Sequence, residues 1–400
     1  MSIALVQTPG GMLTLDDAPF ETEASAVDPT SPLPRLSYAA AHVVFEDEYV
    51  QTNHSVDAPG TACTLAAAIN WADTMKLRTT IGATGMGIAE SMDTAQRFSL
   101  GWDAAQELIR RTGALNLPGG FCAGAGRDQF SGVLSTNELI AAVSEQVHFI
   151  VEHGGIPIVL PMESLATTNC DADEYVRVYE AIALEAPTNS PLFVHWLGPM
   201  FLASLQGYFP DDSFLRIMRS NPETFRGAKL SMLNAPLEER LRADLLQRDQ
   251  IMLTGDDFHF GGLIRGDNVP LRTTKIGGRD VSIGHFSHPL LGIFDAIAPS
   301  AALAMRLLDK GDTEGYNRII EPCERLGQTI FESPTRFYKT GLAFLSWING
   351  AQSNAMLANH EERNRDHAHL LNVVEHANAA GAIVDAPLAA ERLEAWLRTT

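Results

Sequence analysis

Residues 119–162 have the sequence GGFCAGAGRDQFSGVLSTNELIAAVSEQVHFIVEHGGIPIVLPM, which predicts a strand, a helix and a second strand in succession. The apolar runs at 119–126 and 156–162 have the length of buried strands. Between them, one helical face carries Leu139, Val143, Val147, Ile150 and Val151, and Gly154 ends the pattern. Strand, crossover helix and strand form the unit from which parallel sheets are built.

The same alternation extends in both directions. Eight strands are predicted, at 40–45, 78–83, 119–126, 156–162, 191–197, 225–232, 250–257 and 289–297. No GxGxxG sequence links a strand to a helix, which argues against a dinucleotide-binding fold. Because eight parallel strands close most economically on themselves, we predict an α/β fold of the (β/α)8 TIM barrel type.

Three regions are predicted along the chain. Residues 1–35 are rich in Pro, Thr, Asp and Ser with little periodicity, so they are interpreted as an N-terminal extension with one short hairpin. Residues 36–300 form the barrel, which carries the catalytic site. Residues 301–400 are mostly helical in pattern and are expected to pack on the barrel as a C-terminal extension.

Charge and cysteine usage limit the classes of partner and the compartment. The net charge of −20 repels phosphate backbones and anionic lipid, so we expect neither nucleic-acid nor membrane binding. The four cysteines are scattered, without a CxxC pair, and the N-terminus lacks the pattern of a signal peptide. We therefore expect a cytoplasmic protein that acts on a small molecule. We also expect a homo-oligomer, although composition does not bear on that expectation.

Lys229 is the first candidate for chemistry. The chain has five lysines and 24 arginines, and Lys229 lies inside an apolar predicted strand, GAKLSM. Burial of an ammonium is costly, so such a lysine either is paired with a carboxylate or has a lowered pKa. A neutral amine attacks a ketone to form a Schiff base.

Five segments in order resemble those of the dihydrodipicolinate synthase and N-acetylneuraminate lyase superfamily of barrel aldolases. They are GATGMGIAES (82–91), FCAGAG (121–126), GAKLS (227–231), LTGDD (253–257) and PTRFYKTGLAFLSWING (334–350). The chain resembles a divergent bacterial branch of that superfamily. The resemblance implies that Lys229 forms an imine with a carbonyl substrate, without a cofactor, and that Thr84 and Gly85 hold a substrate carboxylate or hydroxyl.

The chain also departs from the superfamily pattern. The position of the proton-relaying tyrosine on the fifth strand is taken by His195, and Ala83 and Met86 replace a threonine and a glutamate of the substrate loop. His195 is therefore the candidate acid or base, because an imidazole titrates near neutral pH. Its alternative is a core histidine bonded to a backbone carbonyl.

Polar residues at other strand ends complete the candidate site. Glu163, Asp256 and Asp257 are expected to bind substrate hydroxyls, although a turn and helix cap would also explain the two aspartates. An alternative is a divalent metal site at the same end of the barrel, built from His42, Glu163, His195, Asp256 and His259.

Three functions follow from these residues. The first is a Schiff-base lyase or aldolase, of carbon–carbon or carbon–oxygen bonds, for a small keto acid or keto-sugar, which suggests carbohydrate metabolism. The second is a metal-dependent sugar isomerase, epimerase or aldolase. The third is a barrel without catalysis that binds a ligand.

Overall fold

Eight parallel strands close into a barrel at the centre of the molecule, whose computed structural model describes residues 2–398. In chain order the strands of that part are β1 (Ile3–Thr8), β2 (Gly11–Asp16), β3 (Tyr38–Ala40), β4 (Gly87–Glu90), β5 (Phe121–Ala125), β6 (Ile156–Val159), β7 (Leu192–Leu197), β8 (Phe225–Ser231), β9 (Ile251–Thr254), β10 (Pro270–Ile276), β11 (Arg279–Gly284) and β12 (His288–Leu291). The barrel order is β12-β3-β4-β5-β6-β7-β8-β9, with β9 pairing β12 to close it. The predicted (β/α)8 barrel is confirmed.

Helices cover the outside of the barrel and continue beyond it. They are α1 (Glu21–Ser25), α2 (Ala62–Ala67), α3 (Trp71–Gly82), α4 (Arg97–Ala114), α5 (Thr136–Glu152), α6 (Glu163–Thr167), α7 (Ala172–Glu185), α8 (Ser213–Ser220), α9 (Ala235–Leu246), α10 (Phe260–Arg265), α11 (Phe294–Asp309), α12 (Thr313–Ile330), α13 (Lys339–Ile348), α14 (His367–Ala379) and α15 (Ala386–Leu397). Five short 3₁₀ segments lie among them, at Asp47–Gln51, Asp93–Ala95, Ala203–Leu205, Thr335–Phe337 and Ala358–Asn364. Position 300, where we divided barrel from extension, lies within α11.

Side chains alternate between the two faces of each strand, so the barrel has an inner core and an outer core. On β8, Ala228 and Leu230 pack outward in the core that the helices share. Side chains of the neighbouring strands, including Phe193 and Leu253, form the inner core. Because successive side chains of a strand point to opposite faces, Lys229 projects into the barrel.

Both ends of the barrel are covered. At the amino-terminal ends of the strands, β10 and β11 form an antiparallel hairpin whose Ile276, Val281 and Ile283 join the inner core. At the carboxyl-terminal ends, the chain between α12 and α14 contacts the strand-end loops. Tyr338 bonds Thr94, for example, and Gln352 bonds His42.

One predicted strand is wrong. Residues 78–83 belong largely to α3, and the second barrel strand is β4, which lies further along the chain. The Asn70 side chain accepts a hydrogen bond from the Asp73 N–H at the start of this helix, and the hydroxyls of Thr79 and Thr80 bond carbonyls four residues back. These β-branched residues therefore lie in a capped helix despite their strand propensity. The other seven predicted strands overlap observed ones.

Candidate active site

Lys229 lies inside the barrel without a fixed partner. In the register of the barrel, Lys229 pairs directly with His195 on β7 and with Leu253 on β9. The residue is 8 % exposed, and within residues 2–398 its Nζ forms no hydrogen bond and has no carboxylate oxygen within 4.0 Å, so the atom keeps some accessible surface. Burial lowers the pKa of Lys229, and the charge of Asp257 partly opposes that effect. A buried amine without a bonded partner is available to react.

The space beside the amine depends on Gly255, which follows β9. A Cβ atom at this position would lie 2.2 Å from Ser231 Oγ and 2.9 Å from Lys229 Cε. Both distances are shorter than real Cβ contacts, so a larger residue would displace the lysine or the serine. The glycine therefore leaves the room that the Lys229 side chain occupies.

His195 lies against the same group of residues. Its Nε2 is 3.2 Å from Ser231 Oγ, and its Nδ1 is buried without a partner. Burial and the charge of Lys229 lower the pKa of His195 well below its ordinary value of 6.5. Burial therefore favours the neutral imidazole of His195, and its role as acid or base stays a prediction.

The two aspartates after β9 differ in their surroundings. Asp257 accepts a hydrogen bond from the Ile293 N–H at 2.9 Å, and burial raises its pKa to about 7. Asp256 Oδ1 accepts from the N–H groups of Phe258 and His259 and so holds the turn that leads into α10. The charge of Asp257 thus raises the pKa of Lys229, whereas Asp256 has the turn contacts of the structural alternative and does not cap α10.

Sequence reasoning did not single out Tyr338, Thr94 and Asp93. The Tyr338 hydroxyl lies 2.9 Å from Thr94 Oγ1, and Asp93 and Thr94 follow β4 directly. Burial and Asp93 raise the pKa of Tyr338 well above its ordinary value. The charge of Asp93 also raises the pKa of Lys229. These side chains therefore lie at the same end of the barrel as the lysine. A correct position for the second strand would have indicated Asp93 and Thr94, because polar residues at carboxyl ends of barrel strands line the active site.

Thr84 and Gly85 lie at the other end of the barrel. They precede β4, and carboxyl-terminal ends of the strands carry Lys229 and its neighbours. Thr84 Oγ1 donates to the Ile81 carbonyl, and the Thr84 carbonyl accepts from Arg306. Their predicted contact with a substrate bound to Lys229 is therefore wrong, and the cause is the misplaced second strand.

Glu163 and His42 have other partners. Glu163, at the start of α6, accepts a hydrogen bond from the Ser204 hydroxyl. His42 Nδ1 bonds Asp295 at 2.7 Å and Nε2 bonds Gln352 at 2.8 Å. Burial lowers the pKa of His42, but the bonds to Asp295 and Gln352 outweigh burial, and the pKa is raised overall. His42 thus connects β3 to α11 and to the C-terminal segment.

The five residues of the alternative metal site do not come together. Across residues 2–398 no three His, Cys, Asp or Glu side chains are arranged to hold a metal ion. His259, half exposed, bonds Asp256 at 3.0 Å, and His195 and His42 have the separate partners described above. The predicted metal set was therefore wrong as a single site, because its three histidines are each bonded to a different partner.

The sequence from residue 7 to residue 400 matches the family described as "Protein of unknown function (DUF993)". The chain belongs to the DUF993 family. No curated protein matches this DUF993 protein. Within residues 2–398, no helix combines the length and the apolar character that crossing a membrane requires.

Solved structures similar to this DUF993 protein share its barrel. Dihydrodipicolinate synthase from Bacteroides thetaiotaomicron has 15 % identity and a TM-score of 0.60, covering 86 % of this chain and 99 % of that one. N-acetylneuraminate lyase from Fusobacterium nucleatum, in a complex with pyruvate, has 14 % identity and a TM-score of 0.55, covering 85 % and 95 %. A putative dihydrodipicolinate synthase family protein from Coccidioides immitis has 16 % identity and a TM-score of 0.57, covering 88 % and 98 %. The resemblance inferred from the five segments is confirmed at the level of the fold.

Proposed function

We propose that this DUF993 protein is a Schiff-base-forming aldolase or lyase with Lys229 as its nucleophile. One observation carries the proposal: Lys229 projects into the barrel at the strand ends, with burial lowering its pKa and no partner bonded to its Nζ among the described residues. A structural lysine in an apolar core would instead be held by a carboxylate at bonding distance.

A neutral amine at Lys229 can form and use an imine in the following steps. Lys229 Nζ adds to the carbonyl carbon of the substrate, and the adduct loses water to form a protonated imine. A base takes the proton of the β-hydroxyl, the bond between the α and β carbons breaks with release of an aldehyde, and its electron pair forms an enamine as the C=N electrons move onto nitrogen. In a carbon–oxygen lyase the α proton leaves instead, and the resulting enamine expels the β-hydroxyl as water. Protonation of the enamine carbon and addition of water return the ketone product and the free lysine.

Proton transfer in this scheme belongs to Asp257 and Tyr338. Asp257, with a pKa of about 7, can accept the proton of the lysine ammonium and return it near neutral pH. The Tyr338 and Thr94 hydroxyls, 2.9 Å apart, form a short chain beside it. In this arrangement Tyr338 replaces the tyrosine that is missing from the fifth strand. His195 stays neutral and serves as a positioning residue through Ser231.

The charges around Lys229 favour a hydroxylated substrate. The two carboxylates whose charges raise the pKa of Lys229 are Asp257 and Asp93, and Asp93 is also paired with Lys339 at 3.4 Å. Arg97, which also lies at this end of the barrel, is bonded to both carboxylate oxygens of Asp128. Carboxylates accept hydrogen bonds from hydroxyls and repel a substrate carboxylate. The substrate class is therefore a small hydroxyketone or keto-sugar in preference to a keto acid.

The test is chemical trapping. The protein is incubated separately with dihydroxyacetone and with pyruvate, reduced with borohydride, and the adduct is mapped by mass spectrometry. We expect an adduct on Lys229, formed faster with dihydroxyacetone, which disappears in Lys229→Ala. Lys275→Ala is the control, because Lys275 is an exposed lysine on β10 that pairs with Asp280.

A second pair of variants tests the site and keeps the lysine in place. Gly255→Ala crowds Lys229 and is expected to slow adduct formation at least about ten-fold, whereas Gly262→Ala in α10 introduces a Cβ with no atom within 4 Å. Adduct formation at wild-type rate in Lys229→Ala, or no adduct in the wild type with either compound, would reject the proposal.

A further inference from the structure

A cavity of the described residues lies at the end of the barrel opposite Lys229. It has a volume of about 780 Å³, between residues 29–37, the loop before β4 and the hairpin of β10 and β11. Small-molecule sites commonly have volumes of roughly 300–1,000 Å³. Nothing in the proposed Schiff-base chemistry uses this cavity.

Three arginines give the cavity a positive lining. They are Arg35, Arg279 and Arg306, and the one carboxylate in the lining, Asp280, is paired with Lys275 at 2.8 Å. Within residues 2–398, none of the three guanidinium groups has a carboxylate within 4.0 Å. Burial lowers the pKa of Arg35 to about 10, so this side chain is still charged at neutral pH. In a chain with a net charge of −20, three arginines at one cavity without a carboxylate at bonding distance are a local exception, and the charges of Asp309 and Asp267 act on Arg35 only from further away.

The partners of these arginines are neutral. Arg279 donates to the Gly119 carbonyl, and Arg306 donates to the carbonyls of Ser31 and Thr84. Carbonyl groups orient a guanidinium but do not neutralise it. Burial lowers the pKa of Arg306 and the charge of Asp28 opposes that effect, but Asp28 lies beyond bonding distance of the guanidinium and accepts a hydrogen bond from the Thr30 hydroxyl instead.

Some donors of the two guanidinium groups remain available. In the described structure, Arg279 Nε and Nη2 and Arg306 Nη1 donate to no protein atom. These nitrogens are not among the buried polar atoms that lack a partner, so they retain accessible surface. Planar N–H groups beside open space match the oxygen atoms of phosphate and carboxylate groups.

We infer that this cavity is a binding site for a small organic anion with at least two negative charges, a phosphate monoester or a polycarboxylate. Arg279 and Arg306 bind the oxyanion through their available N–H groups, and Arg35 adds charge from the cavity wall. The site is separate from Lys229, so its occupant is a regulator or a stabilising ligand of this protein and not the substrate of the Schiff-base reaction.

The experiment is titration calorimetry of the full chain with inorganic phosphate and, separately, with citrate, at constant ionic strength. We expect binding of one of them to the wild type, and the stronger of the two assigns the phosphate or the carboxylate class. Arg279→Gln and Arg306→Gln should each weaken that binding at least about ten-fold, since each removes a hydrogen bond between a charged donor and the anion.

The matched control is Arg226→Gln. Arg226, 8 % exposed, also bonds carbonyls at the amino-terminal end of the barrel, those of Pro222 and Asp249, but it does not line the cavity. This variant should bind the anion as the wild type does. Arg279 is on the hairpin surface, so Arg279→Gln tests the site even where Arg306→Gln fails to fold. Absence of binding of both anions at millimolar concentration, or equal weakening in the control, would overturn the inference.

Discussion

At the scale of single residues, the defining feature of the site is that the Lys229 amine has no bonded partner among the described residues. The amine has neither an acceptor nor a carboxylate at bonding distance within the described residues, and the glycine at position 255 leaves room beside it. The groups that could move protons, Asp257 and Tyr338, are both buried. Burial holds both of these acids in their protonated form more strongly than water does, which suits groups that must donate as well as accept.

Tyr338→Phe tests the proton relay separately from imine formation. The variant keeps the ring, which stacks on Phe331 at a centroid distance of 4.3 Å, and removes the hydroxyl that bonds Thr94. We expect Lys229 to be trapped as before. Exchange of the hydrogens next to the ketone carbonyl, followed by NMR in deuterated water, should fall on the order of 100-fold, as for loss of a general acid or base.

The control for this variant is Tyr316→Phe, which removes another buried hydroxyl, one that donates to the Gly261 carbonyl at 2.8 Å. This change should lower stability and leave the exchange rate of the folded protein unchanged. An unchanged exchange rate in Tyr338→Phe would remove the tyrosine from the mechanism.

At the scale of elements, some helices carry buried titratable side chains that are only partly hydrogen-bonded. On α9, Glu238 is 1 % exposed, and its Oε1 accepts from the Ser287 hydroxyl while its Oε2 has no partner. Burial raises the pKa of Glu238 to about 8. The carboxyl is therefore protonated in the folded protein at neutral pH and serves as a neutral connection between α9 and β12.

Glu238 makes the stability of the protein depend on pH. Between its ordinary pKa of 4.5 and the folded value of about 8, the unfolded chain releases the proton that the folded chain keeps. The free energy of unfolding therefore falls as pH rises across this window, by a few kcal/mol on the scale of about 1.4 kcal/mol per pKa unit. Glu238→Gln should flatten this dependence in urea unfolding measured at pH 5, 6, 7 and 8.

Glu239→Gln makes the same chemical change on the next residue, which is exposed. That variant should keep the wild-type pH dependence. A slope in Glu238→Gln as steep as in the wild type would show that the buried carboxyl is ionised in the folded protein.

At the scale of the whole molecule, the two ends of the chain pack together on the barrel. The N-terminal hairpin contacts α14 and α15, and the Asp16 N–H donates to the Asn378 side chain at 2.7 Å. Leu15 on β2 is fully buried in the main core, whereas Leu5 on β1 is 58 % exposed. The N-terminal extension thus contains the short hairpin expected from the sequence, and this hairpin covers the C-terminal helices.

Two leucines of this hairpin give a matched pair. Leu15→Ala should lower the free energy of unfolding by about 2–5 kcal/mol, because it leaves a cavity in a packed core. Leu5→Ala should change it by no more than about 0.5 kcal/mol, as expected for an exposed site. Both are measured by denaturant unfolding, and neither should alter adduct formation at Lys229. Equal effects of the two substitutions would mean that the hairpin does not contribute to the main core.

The sequence by itself determined the barrel, seven of its strands and the position of Lys229 within one of them. Apolar runs, helical periodicity and strand alternation are local properties, so they can be recognised without knowing the neighbours. The strand predicted at 78–83 failed because the cap at Asn70 and the packing of α3 outweigh local β propensity. Only the tertiary structure brought Tyr338 to Thr94, 244 residues apart in the chain, and moved Thr84 away from Lys229. Contacts between such distant residues depend on how the strands close and which end each loop occupies, and no local pattern encodes either.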